Sequence, residues 1–196
     1  MWQKAEKFLA KDKYIRPLIK KYGPCKIKPS KKKDYFVDLV DAMVSQQLSG
    51  KAARTIFERV RMGLGGEILP EDILKTKDEK FRGWGLSRAK TLYVKDLAAR
   101  VKDGRLNVGK LDKLSDEEIM QELIAVKGIG RWTAEMFLMF TLARPDTFPV
   151  DDLGISKGMN KLLKKTLSTD EIGEFALRWK PYRSLAAWYV WKVVDN

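Results

Sequence analysis

Lys127-Gly128-Ile129-Gly130 is the stretch of this sequence closest to a chemical device. Two glycines one residue apart permit backbone turns closed to other residues and let a ligand approach the chain closely. A helix ending near Val126 and another starting at about Arg131 and running to about Leu142 make the stretch a tight hairpin. The loop's N–H groups then gather at the positive end of the second helix, where an anion such as a phosphate binds. The plain alternative is a helix–helix turn, which often contains glycine. In both cases Ile129 pins the hairpin into the core. Charge favours the anion: 39 Lys and Arg against 26 Asp and Glu leave a formal net charge of +13. An excess this one-sided favours polyanionic partners through counterion release. The cluster Lys31-Lys32-Lys33 is either a phosphate contact or a solvated loop.

The rest of the chemistry is bounded by absences. The sequence has no histidine, which removes His-based acid/base catalysis, the Ser-His-Asp triad and every His-ligated metal site. Its one cysteine, Cys25, excludes an intrachain disulfide framework, a four-cysteine zinc site and an Fe–S cluster held by this chain alone. Catalysis falls to carboxylates, lysines, hydroxyls, aromatics or backbone groups.

The elements that must position these groups read as helices almost throughout. Phe36, Leu39, Val40, Met43 and Val44 form the stripe of a core-facing helix. Ala53, Ile56, Phe57 and Val60 repeat it after Ser49, which is placed to cap, and the turn over 62–66 breaks that helix. Val94, Leu97, Ala98 and Val101 give another, capped by Ser87 and stopped by Asp103-Gly104. Ser115-x-x-Glu118 and Ser168-x-x-Glu171 read as capping boxes. Leu185, Trp188, Tyr189 and Trp191 lie on an aromatic helix near the C-terminus. Residues 147–152 read as extended, because Pro149 disfavours helix just before it. With no sustained alternation of period two, the expected fold is all-α, with nine or ten helices. A chain of 196 residues, 44% of them apolar, is long enough to bury a core as one domain or two small lobes.

Residues Leu123 to Glu135, Leu-Ile-Ala-Val-Lys-Gly-Ile-Gly-Arg-Trp-Thr-Ala-Glu, resemble the helix-hairpin-helix of the DNA base-excision glycosylase superfamily. Phe148-Pro149-Val150-Asp151-Asp152-Leu153-Gly154-Ile155 is similar to that superfamily's Gly/Pro/Asp segment. Three further pieces agree with its 3-methyladenine DNA glycosylase II branch: Ser45-Gln46-Gln47-Leu48-Ser49, Gly85-Leu86-Ser87-Arg88-Ala89-Lys90 and Trp179-Lys180-Pro181-Tyr182-Arg183-Ser184. The motifs come in family order and cover roughly residues 35–192.

The resemblance implies a two-lobed helical fold with the substrate cleft between the lobes. Residues 35–140, with the helix-hairpin-helix over about 116–142, form one lobe; residues 1–34 and 141–196 form the other. The N-terminal α/β domain of some relatives is expected to be absent. The implied reaction is hydrolysis of the N-glycosidic bond of a flipped-out alkylated purine, 3-methyladenine or 7-methylguanine, in double-stranded DNA. Asp152, immediately before Leu-Gly-Ile, falls at the catalytic position, and Asp151 would cap the next helix or bond locally. The alternative for both carboxylates is helix capping alone. An alkylated purine is already cationic and leaves without a strong acid, so one carboxylate beside the oxocarbenium-like sugar suffices. Relatives that also nick the strand carry a Schiff-base lysine where this chain has Trp132, so a monofunctional hydrolase leaving an abasic site is implied. Trp132 and Trp191 match base-pocket positions, with Trp188 and Tyr189 as runners-up. Met136 stands where some members carry an aromatic. Gln47 falls at the position of the wedge that fills the gap left by the flipped base, and otherwise reads as a surface residue. Lys127, Gly128, Ile129, Gly130, Arg131, Thr133 and Lys90 are the implied phosphate-binding set. No cofactor and no catalytic metal are expected; a monovalent cation at the Gly128–Gly130 hairpin would be held by loop carbonyls.

Two rival readings remain at the level of sequence. A non-catalytic helix-hairpin-helix module would bind DNA and release no base. A glycosylase of the same fold could act on deaminated or oxidised bases, although their neutral leaving groups need more acid assistance than is evident here. A third reading, a Lys-rich RNA-binding protein, finds no aromatic RNA-recognition signature in this sequence to support it. The N-terminus has no apolar signal core and no stretch approaches eighteen apolar residues, so a cytoplasmic location, nucleoid-associated in a prokaryote and with no membrane partner, is expected; a monomer is expected as well.

Overall fold

Helices form along the apolar stripes, and five of those among the described residues, beginning after Ser49, Ser87, Ser115, Asp152 and Ser168, start on a side-chain cap. The computed structural model describes residues 2–31 and 34–194, so Lys32 and Lys33 of the basic cluster lie outside the described residues. Among the described residues the chain is helical without strands, and twelve α-helices are present. They are α1 (Gln3–Leu9), α2 (Ile15–Tyr22), α3 (Tyr35–Ser45), α4 (Gly50–Gly63), α5 (Pro70–Lys75), α6 (Asp78–Gly83), α7 (Arg88–Lys102), α8 (Asp116–Ile124), α9 (Arg131–Met136), α10 (Leu153–Leu163), α11 (Thr169–Ala176) and α12 (Arg183–Lys192). The count exceeds the expected nine or ten because helices as short as α5 and α6, six residues each, hardly show a period.

The chain divides into two compact units. One is Ser30–Phe137; the other joins Met1–Pro29 to Leu138–Asn196. The second is therefore interrupted in sequence by the first.

In the Ser30–Phe137 unit, α7 packs against α3, α5 and α6, and α8 against α9. Phe36, Leu39, Val40, Met43 and Val44 of α3 are all buried, as are Val94, Leu97 and Ala98 of α7. Each large apolar side chain taken out of water stabilises by about 1.5–3 kcal/mol. Ser49 and Ser87 accept the Ala52 and Lys90 N–H groups at 3.5 and 3.2 Å, capping α4 and α7. Ser115 and Glu118 close a reciprocal capping box on α8. Caps of this kind are worth about 1 kcal/mol each.

In the other unit α12 is the central helix, in contact with α1, α2 and α10. It buries Ser184, Leu185, Ala186, Ala187, Tyr189 and Val190, which leaves little amphipathic pattern. Tyr189 is core: its hydroxyl donates to the Gly23 carbonyl at 2.9 Å. Arg183 grips Asp146 with two guanidinium bonds of 2.8 and 2.9 Å. Ser184 accepts the Thr147 N–H at 2.8 Å and donates to the Thr147 carbonyl at 3.1 Å. These contacts fasten the segment that leads to Asp152.

The segment after the hairpin departs from expectation. Instead of one helix to about Leu142, α9 widens into a π-helical turn over Phe137–Thr141. It closes with the Arg144 N–H on the Leu138 carbonyl at 2.8 Å, and Ala143 takes a φ of 53°. One extra residue in a turn leaves no mark in a 3.6-residue period. Residues 147–149 are neither helix nor strand, and the chain then turns, with Asp152 N–H on the Pro149 carbonyl at 3.1 Å.

Candidate active site

In the Ser30–Phe137 unit the hairpin is built by exclusion of a side chain. Gly128 has a φ of +85°, and a Cβ on it would lie 2.2 Å from Cδ2 of Tyr93, so the ring packs directly on the turn. Ile129 is buried beneath it. The Lys127 N–H donates to Asp96 Oδ2 at 2.9 Å, and Arg100 Nε reaches the same oxygen at 2.8 Å. Burial alone would raise the Asp96 carboxyl; the Lys127 N–H and Arg100 outweigh it and hold the group below the usual carboxylate range. The N–H groups of Gly128, Gly130 and Arg131 make no hydrogen bond among the described residues. Those amides open α9 and suit an anion.

Opposite the hairpin stands the turn that ends α3. Gln46 sends its amide to the Gly128 carbonyl at 2.9 Å and to Thr133 Oγ1 at 3.2 Å. Gln47 follows with a φ of 57° and is exposed, as is Leu48. Lys90 Nζ donates to the Val44 and Gln46 carbonyls, both at 2.7 Å, and burial draws its pKa below the ordinary lysine range. Between the turn and α9 lies a mainly apolar depression of about 520 Å³, lined by Ala42, Ser45, Gln46, Gln47, Leu48, Trp132, Thr133 and Met136. Trp132, 44% exposed, is the large aromatic on its wall.

In the other unit Asp152 caps α10. Its Oδ1 accepts the Ile155 N–H at 2.8 Å and the Trp191 indole N–H at 2.7 Å. Gly154 makes the second bond feasible: a Cβ there would sit 2.8 Å from Trp191 Cδ1 and 3.0 Å from Asp152 Oδ1. Phe140 packs tilted on the Trp191 ring, with centroids 5.8 Å apart. Asp151 is exposed. A carboxylate held by two N–H donors has a fixed direction and does not need to reorganise as positive charge develops nearby. Cys25 offers no rival nucleophile, because burial pushes its thiol up to about 11.

Residues 40–181 match the sequence model of the HhH-GPD superfamily base excision DNA repair protein. The chain belongs to this superfamily. It is 32% identical over 233 aligned positions to the DNA-3-methyladenine glycosylase of Saccharomyces cerevisiae, covering 97% of this chain and 79% of that protein. Among solved structures it is similar to a DNA-3-methyladenine glycosidase from Bacillus halodurans, with a TM-score of 0.88, 33% identity and coverage of 99% and 90% of the two chains. It is equally similar in sequence, at 33%, to the Schizosaccharomyces pombe 3-methyladenine DNA glycosylase in complex with abasic DNA, with a TM-score of 0.85 and coverage of 99% and 98%.

As an HhH-GPD protein the chain places its expected residues unevenly. Gln47, Trp132, Thr133 and Met136 meet on one depression. Asp152 and Trp191 meet in the other unit, where the Trp191 indole N–H donates to the carboxylate. Most residues of the expected phosphate set are engaged within the protein, Thr133 through its hydroxyl, which accepts the Gln46 amide. Lys90 spends its ammonium on two carbonyls. Ile129 N–H bonds the Val126 carbonyl at 3.1 Å. Lys127 gives its N–H to Asp96, leaving its exposed side chain. Arg131 is 65% exposed but leans on buried Glu135 at 3.0 Å. Of the two runners-up, Tyr189 is buried in the core, and Trp188 sits edge-on to Tyr189 with Lys192 over its ring at 5.5 Å. Gln46 and Asp96 were not anticipated. Gln46 was visible inside its motif but overshadowed by its neighbour, and Asp96 with Arg100 reads as an ordinary i,i+4 surface pair.

Proposed function

We infer that the protein is a monofunctional DNA glycosylase, working as a monomer. It flips an alkylated purine, 3-methyladenine or 7-methylguanine, out of duplex DNA and hydrolyses its N-glycosidic bond. The observation that carries the reading is Asp152, a carboxylate fixed by Ile155 N–H and the Trp191 indole in a chain that has no histidine. The names of the similar S. cerevisiae and S. pombe enzymes support the substrate class.

The chemistry follows from charge. The alkylated base carries a positive charge, so the C1′–N bond breaks with its electron pair passing to the base and no proton donor required. Asp152 stabilises the oxocarbenium-like sugar and orients the water that adds to C1′; the water's proton passes to the carboxylate or to solvent. Trp132 offers a ring face to the cationic base, worth about 0.5–2 kcal/mol per contact. Being tryptophan, it forms no Schiff base, so the product is an abasic site on an uncut strand. Gln47 fills the space left by the extruded nucleotide. The amides of Gly128, Gly130 and Arg131 and the Lys127 side chain hold phosphate. Carbonyls of the hairpin fit a monovalent cation only through their remaining lone pairs, since those of Val126 and Gly128 each already accept one hydrogen bond.

The test is release of free 3-methyladenine and 7-methylguanine from methylated duplex DNA by wild type and by Asp152→Asn. Asparagine caps helices as well as aspartate does, so the fold is kept and only the charge is lost. Base release is expected to fall by about 100-fold or more, with affinity for duplex containing an abasic analogue little changed. A wild type that binds DNA and frees no alkylated base, or an Asp152→Asn variant as active as wild type, rules the reading out.

A further inference from the structure

The turn that carries Gln47 is held at both ends by side chains with no need of DNA. On one side Lys90, from the first turn of α7, donates to the carbonyls of Val44 and Gln46 at 2.7 Å. These are groups that the end of α3 leaves without a helical N–H donor, and an ammonium is their natural partner. On the other side the Gln46 amide bonds the Gly128 carbonyl at 2.9 Å and Thr133 Oγ1 at 3.2 Å, which joins the turn to the hairpin. Between the two grips Gln47 sits at a φ of 57°, a left-handed conformation that costs a residue with a Cβ and persists only where its surroundings impose it. Lys90 is only partly accessible, and burial disfavours its charge, so the group is invested in the protein.

We propose that Lys90 is a positioning residue for base extrusion: through the Val44 and Gln46 carbonyls, and with Gln46 as the tie to the Gly128 hairpin, it holds the Gln47 turn rigid so that wedge and phosphate grip engage DNA as one body. The proposal rests on the reading of Gln47 as the wedge. It replaces a direct contact of Lys90 with phosphate by an internal one. A wedge presented in fixed geometry loses little freedom on insertion, whereas one on a loosened turn must be ordered during the flip.

The experiment uses the full chain and a duplex in which 2-aminopurine neighbours a tetrahydrofuran abasic analogue, so that wedge insertion unstacks the probe and raises its fluorescence. Lys90→Met removes the donors and keeps the stem; Lys90→Arg restores two donors; Gln46→Met cuts the tie to the hairpin without touching the end of α3. Melting curves check that each variant folds. Expected are a large loss of the fluorescence rise and a roughly 10–100-fold fall in single-turnover base release for both Met variants. Recovery in Lys90→Arg is also expected, together with a salt dependence of DNA affinity equal to that of wild type. The double variant should be no worse than either single one, because both act through one turn. A slope of log K against log salt reduced by about one in Lys90→Met, with the fluorescence rise intact, makes Lys90 a phosphate contact and overturns the proposal. Should Lys90→Met not fold, Gln46→Met alone decides: an unchanged fluorescence rise overturns it. If wild type itself gives no fluorescence rise, the base-flipping reading fails first; if wild type does and the variants match it, only the present inference fails.

Discussion

A single oxygen of Asp152 receives donors from two separate elements. Oδ1 accepts the Ile155 N–H that starts α10 and the indole N–H of Trp191. The capping half of this was legible only in part: an aspartate before Leu-Gly-Ile is a capping signal, but the cap was expected at Asp151 and the residue directly before the helix, Asp152, makes it. The indole half was not. Trp191 lies 39 residues along the chain, and nothing in local periodicity reports a hydrogen bond between distant elements. The same blindness applied to Lys90, whose lysine identity suggests phosphate while its position suggests nothing about carbonyls on α3. Trp191→Phe keeps an aromatic ring against Phe140 and removes the donor. Hydrogen bonds to charged groups contribute about 1.5–3 kcal/mol, so the carboxylate should lose its fixed direction. The expected result is base release slowed about tenfold or more, with DNA affinity within a factor of about two, measured by single-turnover kinetics beside a binding titration. An unchanged rate would mean that Ile155 N–H alone orients the carboxylate.

At the scale of elements, local rules sufficed wherever one side chain served one turn. Ser49, Ser87, Ser115 and Ser168 each cap the helix they precede. They failed where an element carried no period of its own. The π-helical turn over Phe137–Thr141 has no signature in apolar spacing, and α5 and α6 are too short to show one. The hairpin lies between these cases: Gly-Ile-Gly was readable as a turn, but the partner that makes Gly128 obligatory, Tyr93 on α7, was not. Gly128→Ala must place a Cβ 2.2 Å from that ring at a φ of +85°. Left-handed strain and overpacking together are expected to cost about 2–4 kcal/mol. Thermal unfolding of Gly128→Ala, and of Gly128→Ala with Tyr93→Ala, checks this: the second change should recover the steric share and leave the backbone share. Equal melting temperatures for wild type and Gly128→Ala would show that the turn readily relaxes.

For the whole molecule the charge was legible at once and its distribution adds to it. Residues 1–29 hold nine Lys and Arg against two Asp and Glu, whereas residues 30–137 hold 21 against 17. A chain of net charge +13 that binds duplex DNA through several phosphates should lose affinity steeply with salt. Between 50 and 200 mM salt a fall of roughly 100-fold or more is expected for undamaged duplex, measured by fluorescence anisotropy. A flat response would mean that the excess charge stays out of the contact. Connectivity has another consequence. The unit that holds Asp152 is made of both ends of the sequence, and its Tyr189–Gly23 hydrogen bond joins residues 166 apart. A ribosome adding about 5–20 residues per second makes Gly23 wait roughly 10–30 s for Tyr189. All of Ser30–Phe137 emerges in that interval. The nascent chain thus has the Gly128 hairpin before the Asp152 carboxylate has the Trp191 indole to steady it, so synthesis supplies the inner unit whole before the outer one can close.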